Sequence, residues 1–375
     1  MAPERPLVVI TDETLLDEVL RLAAAAGCEL HRAPDIVSAR ADWSRAPLIV
    51  LDELSLDREP PPRAGLLLVT KGMPEAAIWQ RVFDLGIERV VPIPDREADL
   101  VSAFADVVEG PRVPGGGVIG VVGGRGGAGT SVFATALALT ACDGARGALL
   151  LDCDPLGGGL DLLLGAETQT GARWPDLRLQ GDRISMPALS EALPEYRRAG
   201  KRLPFLACGP AAPAPDPSAL ASVVDAGCRA GKVVVCDLPR HLGSDVEPVT
   251  EAADLIVMVV PAEVRACAAA RQVAARLSGN EDRVRLVVRG PSPGAISPQD
   301  IATAVGLPLL TSITTDRHLP KSVDDAGLLL RPRSNLTRAA RLALSIATAG
   351  RSTATTTTTR AAAFRPTAAT EPVAS

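Results

Sequence analysis

The sequence Val118-Ile-Gly-Val-Val-Gly-Gly-Arg-Gly-Gly-Ala-Gly-Thr-Ser131 decides the fold of this chain. Its first five residues have the apolar pattern of a short buried strand, and Ser131 opens a run of alanine and leucine that is typical of a helix. Glycines between a strand and a helix let the backbone turn tightly and point its N–H groups at an anion, beside the partial positive charge of the helix N-terminus. The sequence therefore predicts a phosphate-binding loop between a strand and a helix.

This loop departs from the usual phosphate-binding pattern at one position. In the pattern Gly-x4-Gly-Lys-Ser/Thr, the lysine binds the outer phosphates and the hydroxyl residue holds magnesium. Gly124 and Gly129 keep the glycine spacing and Ser131 keeps the magnesium position, but Thr130 stands in place of the lysine. The site can still be shaped for a nucleotide without its main positive charge. The predicted nucleotide contacts form one continuous run: Gly124, Arg125, Gly126, Gly127, Ala128, Gly129, Thr130 and Ser131.

Composition limits the classes of protein that fit. The 375 residues carry a formal net charge of −5, so no nucleic-acid partner is expected. Hydrophobic residues make up 47% of the chain and aromatic residues 2%, which favours helices packed on a parallel sheet through alanine, valine and leucine. Seven cysteines without a Cys-x-x-Cys pair are typical of reduced thiols in a cytoplasmic protein and offer no zinc-ligand spacing.

Apolar patterning divides the chain into four parts. Residues 1–109 alternate short apolar strands with helical stripes, and residues 118–349 do so again, as in α/β domains whose sheets are buried on both faces. Residues 110–117 are a linker rich in proline and glycine. Residues 350–375 form a tail of threonine and alanine with too little apolar surface to fold alone, and we expect it to be disordered.

Residues 1–109 resemble the receiver domain of response regulators, which has a flavodoxin-like fold. Asp52 follows an apolar strand where a receiver carries its phospho-acceptor, and Thr70 ends the next strand where receivers carry a hydroxyl. The lysine that receivers carry beside a proline after the last strand is absent, because the chain reads Val91-Pro92-Ile93-Pro94. We favour a pseudo-receiver used for docking or dimerisation, and phosphorylation of Asp52 stays open.

Two strands of the second domain are predicted to end in carboxylates. Asp152-Cys-Asp154-Pro follows the apolar residues 148–151, and Asp237 follows the apolar residues 233–236. Hard oxygen ligands at two strand ends, beside a serine hydroxyl, suit the magnesium ion of a nucleotide. The sequence thus predicts a magnesium site at Ser131, Asp154 and Asp237.

Together these segments resemble the MinD/ParA family of P-loop ATPases, which has a mostly parallel sheet. The stretch Arg125-Gly-Gly-Ala-Gly-Thr-Ser resembles the family's Lys-Gly-Gly-x-Gly-Lys-Ser/Thr, in which the first lysine reaches a partner's nucleotide across a dimer. The resemblance implies ATP and Mg2+ as cofactors, a phosphate contact from Arg125, and a catalytic role for Asp154 in positioning the attacking water. For Asp237 it implies magnesium held through water. Arg289 stands where the family commonly has an adenine-reading asparagine, which leaves base specificity open.

A degenerate receiver joined to a MinD-like domain without the loop lysine resembles the CpaE-like, TadZ-like group of this superfamily, which includes septum-site-determining and secretion-neighbourhood proteins. The group implies a septum-site-determining regulator that inhibits septum formation, or a localisation factor or scaffold for a pilus or secretion apparatus. Its partners would be proteins of the division, pilus or secretion machinery. The resemblance is carried by Gly-Arg-Gly-Gly-Ala-Gly, Arg-Trp-Pro-Asp-Leu, Cys-Asp-Leu-Pro-Arg, Arg-Ala-Cys-Ala-Ala-Ala and Val-Val-Arg-Gly-Pro-Ser-Pro-Gly.

The lost lysine leaves the enzymatic activity open. Removing an electrostatic clamp from a transferring phosphate raises the barrier to its transfer, so we expect weak or absent ATP hydrolysis. A working ATPase that dimerises, with Arg125 reaching its partner's phosphates, is one alternative. A scaffold that binds no nucleotide is the other. Homodimer formation stays open.

The composition predicts a cytoplasmic protein, and the family resemblance implies that it can be recruited to a septum or cell pole. The helix predicted at about residues 335–347 has a small, alanine-rich apolar face, so it is expected to pack on the sheet. Membrane association is therefore expected to be peripheral at most. Trp174 is expected to anchor a loop on the domain, with a partner contact as the alternative.

Overall fold

A computed structural model describes residues 5–58, 60–109, 115–177, 184, 186–198, 200–209, 212–292, 294 and 296–354. The chain divides into two compact units, Met1–Arg112 with Arg178–Leu189, and Val113–Leu177 with Ser190–Ser375. Residues 110–114 of the predicted linker and 355–375 of the predicted tail lie outside the described residues.

The first unit contains a parallel sheet with helices on both faces. Its strands are β1 (Leu7–Val9), β2 (His31–Arg32), β3 (Ile49–Leu51), β4 (Leu66–Lys71) and β5 (Arg89–Ile93). Its helices are α1 (Glu13–Ala25), α2 (Ile36–Trp43), α3 (Ala76–Asp84) and α4 (Glu97–Glu109), with a 3-10 helix at Leu54–Arg58. The strand order is β2-β1-β3-β4-β5, the order of the flavodoxin-like fold, so the predicted receiver-like architecture is confirmed.

Local sequence explains how these helices begin and where they pack. Asp12 accepts a hydrogen bond from the Leu15 amide and caps α1, and Asp35 caps α2 through the Ser38 amide. β1 and β3 are short and wholly apolar because each face of the sheet is covered at these strands. One core lies on the side of α1 and α4, and the other on the side of α2 and α3.

The second unit is built around a larger sheet. Its strands are β6 (Gly117–Gly123), β7 (Ala148–Asp152), β8 (Glu195–Arg198), β9 (Lys201–Leu206), β10 (Val233–Leu238), β11 (Leu255–Pro261), β12 (Val284–Gly290) and β13 (Leu309–Thr314). Its helices are α5 (Thr130–Ala141), α6 (Leu160–Leu164), α8 (Pro217–Arg229), α9 (Glu247–Ala252), α10 (Val264–Ala275), α11 (Pro298–Val305), α12 (Leu319–Ala326) and α13 (Asn335–Ala354). A further helix, α7 (Met186–Ala192), is divided between the two units after Leu189. Short 3-10 helices lie at Trp174–Asp176, Ser244–Val246 and Glu281–Arg283.

The order of this sheet within the described residues is β13-β12-β11-β6-β10-β7-β9-β8, and only the β8–β9 pair is antiparallel. β6 is therefore central, with β10 and β11 as its neighbours. The predicted fold class, an α/β receiver-like domain followed by a MinD/ParA-type domain with a mostly parallel sheet, is confirmed.

Two helices cover one face of this sheet. α5 is buried from Phe133 to Ala141, which fits its run of alanine and leucine. α13 packs against α5 through Ala340 and Ala343, so the prediction that this helix lies on the sheet is confirmed. It ends at Ala354, later than the sequence indicated. Among the described helices, none has the length and apolar character needed to span a membrane.

Candidate nucleotide site

The predicted phosphate-binding loop joins the central strand β6 to the buried helix α5. Gly127 and Gly129 have φ angles of 71° and 94°, in the left-handed region that disfavours every residue with a Cβ atom. Gly129 is also the N-cap of α5, so the free N–H groups of the first helical turn face the loop. Two glycines of the predicted phosphate-binding loop, Gly127 and Gly129, are thus required by the backbone itself.

The loop has one packed side and one open side. A Cβ atom on Gly124 would lie 2.7 Å from Val260 Cγ2 and 2.8 Å from Ala270 Cβ, so this residue fixes the loop against β11 and α10. A Cβ atom on Gly126 or Gly127 would meet no atom within 4 Å. The open side leaves room for an anionic group against the loop.

The two hydroxyl residues that open α5 have different surroundings. The Thr130 hydroxyl lies against the backbone of Gly123, since a Cβ atom there would be 2.5 Å from Thr130 Oγ1. The Ser131 hydroxyl instead donates a hydrogen bond to the carboxyl group of Asp237. Thr130 therefore supplies no charge where the usual pattern has lysine, while Ser131 stands beside a carboxylate as predicted.

The predicted carboxylates meet at the carboxyl edge of the sheet. Asp237 at the end of β10 is in register with Asp152 on β7 and with Val121 on β6. Asp237 is 3% exposed, and burial, with the nearby charges of Asp152 and Asp154, raises its pKa to about 8 even though the Ser131 hydroxyl lowers it. Burial likewise raises the pKa of Asp152 to about 6. The charges of Asp152 and Asp154 thus act on Asp237 at this edge of the sheet.

Asp152 shapes the segment that carries Asp154. Its carboxylate accepts the Asp154 amide at 3.2 Å and the Leu160 amide at 3.3 Å, which ties down both ends of the turn between them. The indole Nε1 of Trp174 donates to the Asp152 carbonyl at 2.6 Å, and Trp174 is buried. Trp174 thus anchors a loop, as expected. Asp154 is half-buried, and its Oδ1 accepts the Leu156 amide at 3.1 Å.

Two arginines differ in their partners, Arg125 within the loop and Arg289 beside it. Arg125 makes a two-point ion pair with Glu263, with Nη1–Oε2 at 2.8 Å and Nη2–Oε1 at 3.3 Å. Arg289, near the end of β12, donates from Nη2 to the Gly127 carbonyl at 3.2 Å. The Nε atoms of both arginines are buried and have no hydrogen-bond partner among the described residues. Sequence reasoning placed Arg125 at the phosphates and considered Arg289 only in relation to the base.

The pKa of Arg289 is lowered, first by burial and then by the positive charge of Arg125. The negative charge of Glu263 opposes this shift. An arginine remains protonated in proteins even so. The loop therefore has a cationic side chain against it, supplied by a distant strand.

The residues present fit magnesium only when phosphates complete its shell. Within the described residues, no group of three or more His, Cys, Asp or Glu side chains could hold a metal ion. Magnesium at P-loops is commonly held by one or two protein oxygens together with substrate phosphates and water. Ser131, Asp237 and Asp154 have the oxygen chemistry for this arrangement, directly or through water.

A cavity of about 520 Å³ adjoins the loop on the side of β12 and β13. Gly129, Val132 and Arg289 line it at the loop, and Thr314 and Asn335 line it further out. It is large enough for part of a small organic ligand.

In the first unit, Asp52 is 2% exposed, and its carboxylate accepts hydrogen bonds from residues of the same unit. It accepts the amides of Thr11 at 2.6 Å, Asp12 at 3.0 Å and Ser55 at 2.9 Å, and also the Ser55 hydroxyl. Lys71 pairs with Asp12 at 2.7 Å. This geometry favours the pseudo-receiver interpretation, because the oxygens that would accept a phosphoryl group already hold the strand ends together.

Sequence comparison finds relatives that align with nearly the whole chain. The family described as Rv3660c-like, CheY-like N-terminal domain matches residues 9–115. Two Mycobacterium tuberculosis proteins, Rv3660c of strain H37Rv and MT3760 of strain CDC 1551, both named as uncharacterized proteins, are each 41% identical over 350 residues. Those matches cover 90% of this chain and 96% of each relative.

Solved structures share the fold of the second domain at low sequence identity. A ParA family ATPase from Chlorobium tepidum is 19% identical with a TM-score of 0.52, covering 61% of this chain and 98% of that one. The MinD structure in the MinC:MinD cell division complex of Aquifex aeolicus is 21% identical with a TM-score of 0.50, covering 67% and 98%. A receiver-like domain followed by a MinD/ParA-like fold is the arrangement that the CpaE-like resemblance implied.

Proposed function

The chain belongs to the Rv3660c-like family, and from this premise we propose that it is a spatial regulator of cell division, a septum-site-determining protein that inhibits septum formation. In this proposal a degenerate site binds ATP with Mg2+ and hydrolyses it weakly or not at all. The bound nucleotide sets the state in which the protein meets its partners.

One observation carries the nucleotide part of the proposal: the loop keeps its shape although its lysine is gone. Gly127 and Gly129 hold the left-handed conformations, and the side of the loop at Gly126 and Gly127 is open. Such a backbone, at the N-terminus of a twelve-residue helix, suits an anion, and this supports nucleotide binding over a scaffold without a ligand.

The proposed roles follow from position. The backbone from Gly124 to Ser131 would hold the phosphates, with Ser131 as a ligand of magnesium. Asp237 and Asp154 would hold magnesium through water, and Asp154 would orient the attacking water if hydrolysis occurs. Bound Mg2+ would neutralise phosphate charge and favour the ionised form of Asp237.

Slow hydrolysis is supported by the charges at the loop. Thr130 offers only a hydroxyl, and Arg125 is held by Glu263 within the same chain. Stabilising the charge of a transferring phosphoryl group is the main task of such sites, so the loss of the loop's own lysine lowers turnover more than binding. An active ATPase would need Arg125 to leave Glu263 and reach a second copy of the chain.

The division role rests on the family resemblance and on the class of protein that shares this fold. The Aquifex aeolicus neighbour is a cell division protein in complex with MinC. We carry over only the kind of role, in which a division protein is the partner. The alternative is a CpaE/TadZ-like localisation factor or scaffold for a pilus or secretion apparatus.

A thermal melt with and without ATP tests the nucleotide site. A ligand at 100 times its dissociation constant stabilises the folded state by about 2.7 kcal/mol, which raises Tm by about 5–10 °C for a domain of this size. The shift should require Mg2+ and disappear in Gly129→Val. Gly306→Val is the matched control, because Gly306 has a φ of 82° and an open surrounding at the end of α11, away from the loop. An equal shift in both variants, or none in the unaltered chain, contradicts the proposal.

Cell length tests the division role. Raised levels of the chain in the organism that encodes it should lengthen cells by suppressing septa, and Gly129→Val at equal abundance should not. Normal cell length together with loss of pili or secretion on deletion would favour the alternative role.

A further inference from the structure

Arg289 brings a charge to the loop from a remote part of the chain. β12 is two strands away from β6 in the sheet, and Arg289 lies 162 residues beyond its hydrogen-bond acceptor, Gly127. Its Nη1 is 3.3 Å from the position that a Cβ atom on Gly129 would occupy. The glycine that turns the loop into α5 therefore also makes room for the guanidinium group.

This guanidinium is held at the loop without being neutralised. Among the described residues, no carboxylate lies within salt-bridge distance of Arg289, whereas Arg125 beside it is paired with Glu263. Its one acceptor is a neutral carbonyl, and its Nε has no partner. A half-buried guanidinium in this state is poised to bind an anion, since charge-assisted hydrogen bonds are the strong ones.

We propose that Arg289 is the phosphate clamp of this site and supplies from β12 the positive charge that Thr130 no longer supplies from the loop. The ligand class is a magnesium-bound polyphosphate, with the phosphate chain rather than the base as the group that Arg289 recognises. The inference rests on the proposed function, because it assigns a residue to the same nucleotide site. It differs from the family pattern, in which the loop itself carries the lysine.

The planar guanidinium group of an arginine is well suited to binding phosphate. Its terminal nitrogens can bind two phosphate oxygens at once, which a single ammonium cannot do in the same fixed geometry. On ligand binding, Nη2 exchanges the Gly127 carbonyl for a charged oxygen, and this exchange favours binding because the new acceptor is ionised. The opposite interpretation is that the guanidinium blocks the loop and must be displaced.

Calorimetric titration of the full chain with Mg-ATP and with magnesium tripolyphosphate separates these interpretations. Arg289→Gln should weaken the binding of both probes about 10- to 100-fold, because both lose the same charge-assisted hydrogen bonds. Arg289→Lys should recover part of the loss. Arg285→Gln is the matched control, since Arg285 lies on the same strand and donates to the carbonyls of Asp282 and Val284, and its affinity should be unchanged.

Each other result overturns the proposal in a recognisable way. Unchanged binding in Arg289→Gln would exclude the clamp, and tighter binding would show a block. A loss for ATP without a loss for tripolyphosphate would place Arg289 at the base or ribose. Absence of binding by the unaltered chain would overturn the proposed nucleotide function as well. Thermal melts of the free variants guard against loss of folding, and Arg289→Lys carries the test if Arg289→Gln does not fold.

Discussion

Replacing Asp237 by asparagine should remove most of the pH dependence of the stability of the P-loop domain between pH 6 and 8. Asp237 is 3% exposed, and its pKa is raised from 3.8 to about 8, chiefly by burial. The folded domain therefore keeps a proton that the unfolded chain releases. The stabilising contribution of this proton is fully present below the unfolded pKa and is lost as the pH rises through about 8.

The size of the effect follows from the two pKa values. One retained proton changes the free energy of unfolding by about 1.4 kcal/mol per pH unit, and the change levels off near the folded pKa. Integrated from pH 6 to 8, Asp237 accounts for about 2 kcal/mol of lost stability. Asp152, with a pKa of about 6, has already lost most of its proton in this range and adds less than about 0.5 kcal/mol.

Urea unfolding of the ligand-free chain at pH 6, 7 and 8 measures this loss. Tryptophan fluorescence can follow the two domains separately, because Trp174 lies in the P-loop domain and the other two tryptophans lie in the first unit. The fluorescence change that is absent from Trp174→Phe therefore reports the unfolding of the P-loop domain. The unaltered chain should lose about 0.7–1 M in urea midpoint between pH 6 and 8, for an m-value of about 2–3 kcal/mol/M. Asp237→Asn should lose less than a third of that.

Asp282→Asn provides the control, because Asp282 is exposed in the same domain and its replacement should leave the pH dependence as it is. All other titratable groups are the same in the unaltered chain and in Asp237→Asn, so the difference between these two proteins isolates Asp237. Equal pH dependence in Asp237→Asn and the unaltered chain would refute the burial argument.

Three further changes have expected outcomes. Thr130→Lys should tighten Mg-ATP binding about 10- to 100-fold in calorimetric titration, because the lysine adds charge-assisted bonds to the phosphates. Trp174→Phe should cost about 1–3 kcal/mol in urea unfolding, because the Asp152 carbonyl loses its indole donor, and hydrogen exchange should speed up at residues 152–160. Incubation with acetyl phosphate should add no mass to the first unit, since Asp52 is buried and fully hydrogen-bonded, and Asp52→Ala should destabilise that unit by about 1–3 kcal/mol.

Local patterns were enough to predict the elements that carry the site. The glycine spacing before α5 and the carboxylates after two apolar strands are features of contiguous sequence, so β6, β7 and β10 could be placed without tertiary information. Parallel strands buried on both faces read as unbroken apolar runs, which makes them easy to recognise. The alanine face of α13 was likewise visible as a helical period.

The elements that were not predicted lack such patterns. β2 consists of His31 and Arg32, both exposed at a sheet edge, and only its pairing with β1 defines it as a strand. β8 reads Glu-Tyr-Arg-Arg, and only its antiparallel pairing with β9 defines it as a strand. For edge strands, tertiary context outweighs propensity.

The charges at the site could not be read from the sequence, because they depend on contacts between distant residues. The ion pair of Arg125 with Glu263 spans 138 positions, and no short-range rule connects the two. The raised pKa of Asp237 depends on its burial and on Asp152 and Asp154, which lie at the end of another strand and just after it. Sequence located the residue types at the site, and the fold determines which of them are neutralised.

These charges determine how a loop without lysine would interact with a polyphosphate and with magnesium. Free of ligand, the site has one unneutralised guanidinium on one side and, on the other, a carboxyl group that burial keeps protonated near neutral pH. In the proposed function, a polyphosphate would contact Arg289, and Asp237 would stay protonated as long as no metal is bound. A divalent cation beside Ser131 would contact phosphate oxygens and favour the ionised carboxylate, so that metal binding would release a proton. In a loop with its own lysine, part of this neutralisation is permanent. Under the proposed function, the binding of metal and nucleotide here would therefore be coupled to the release of a proton.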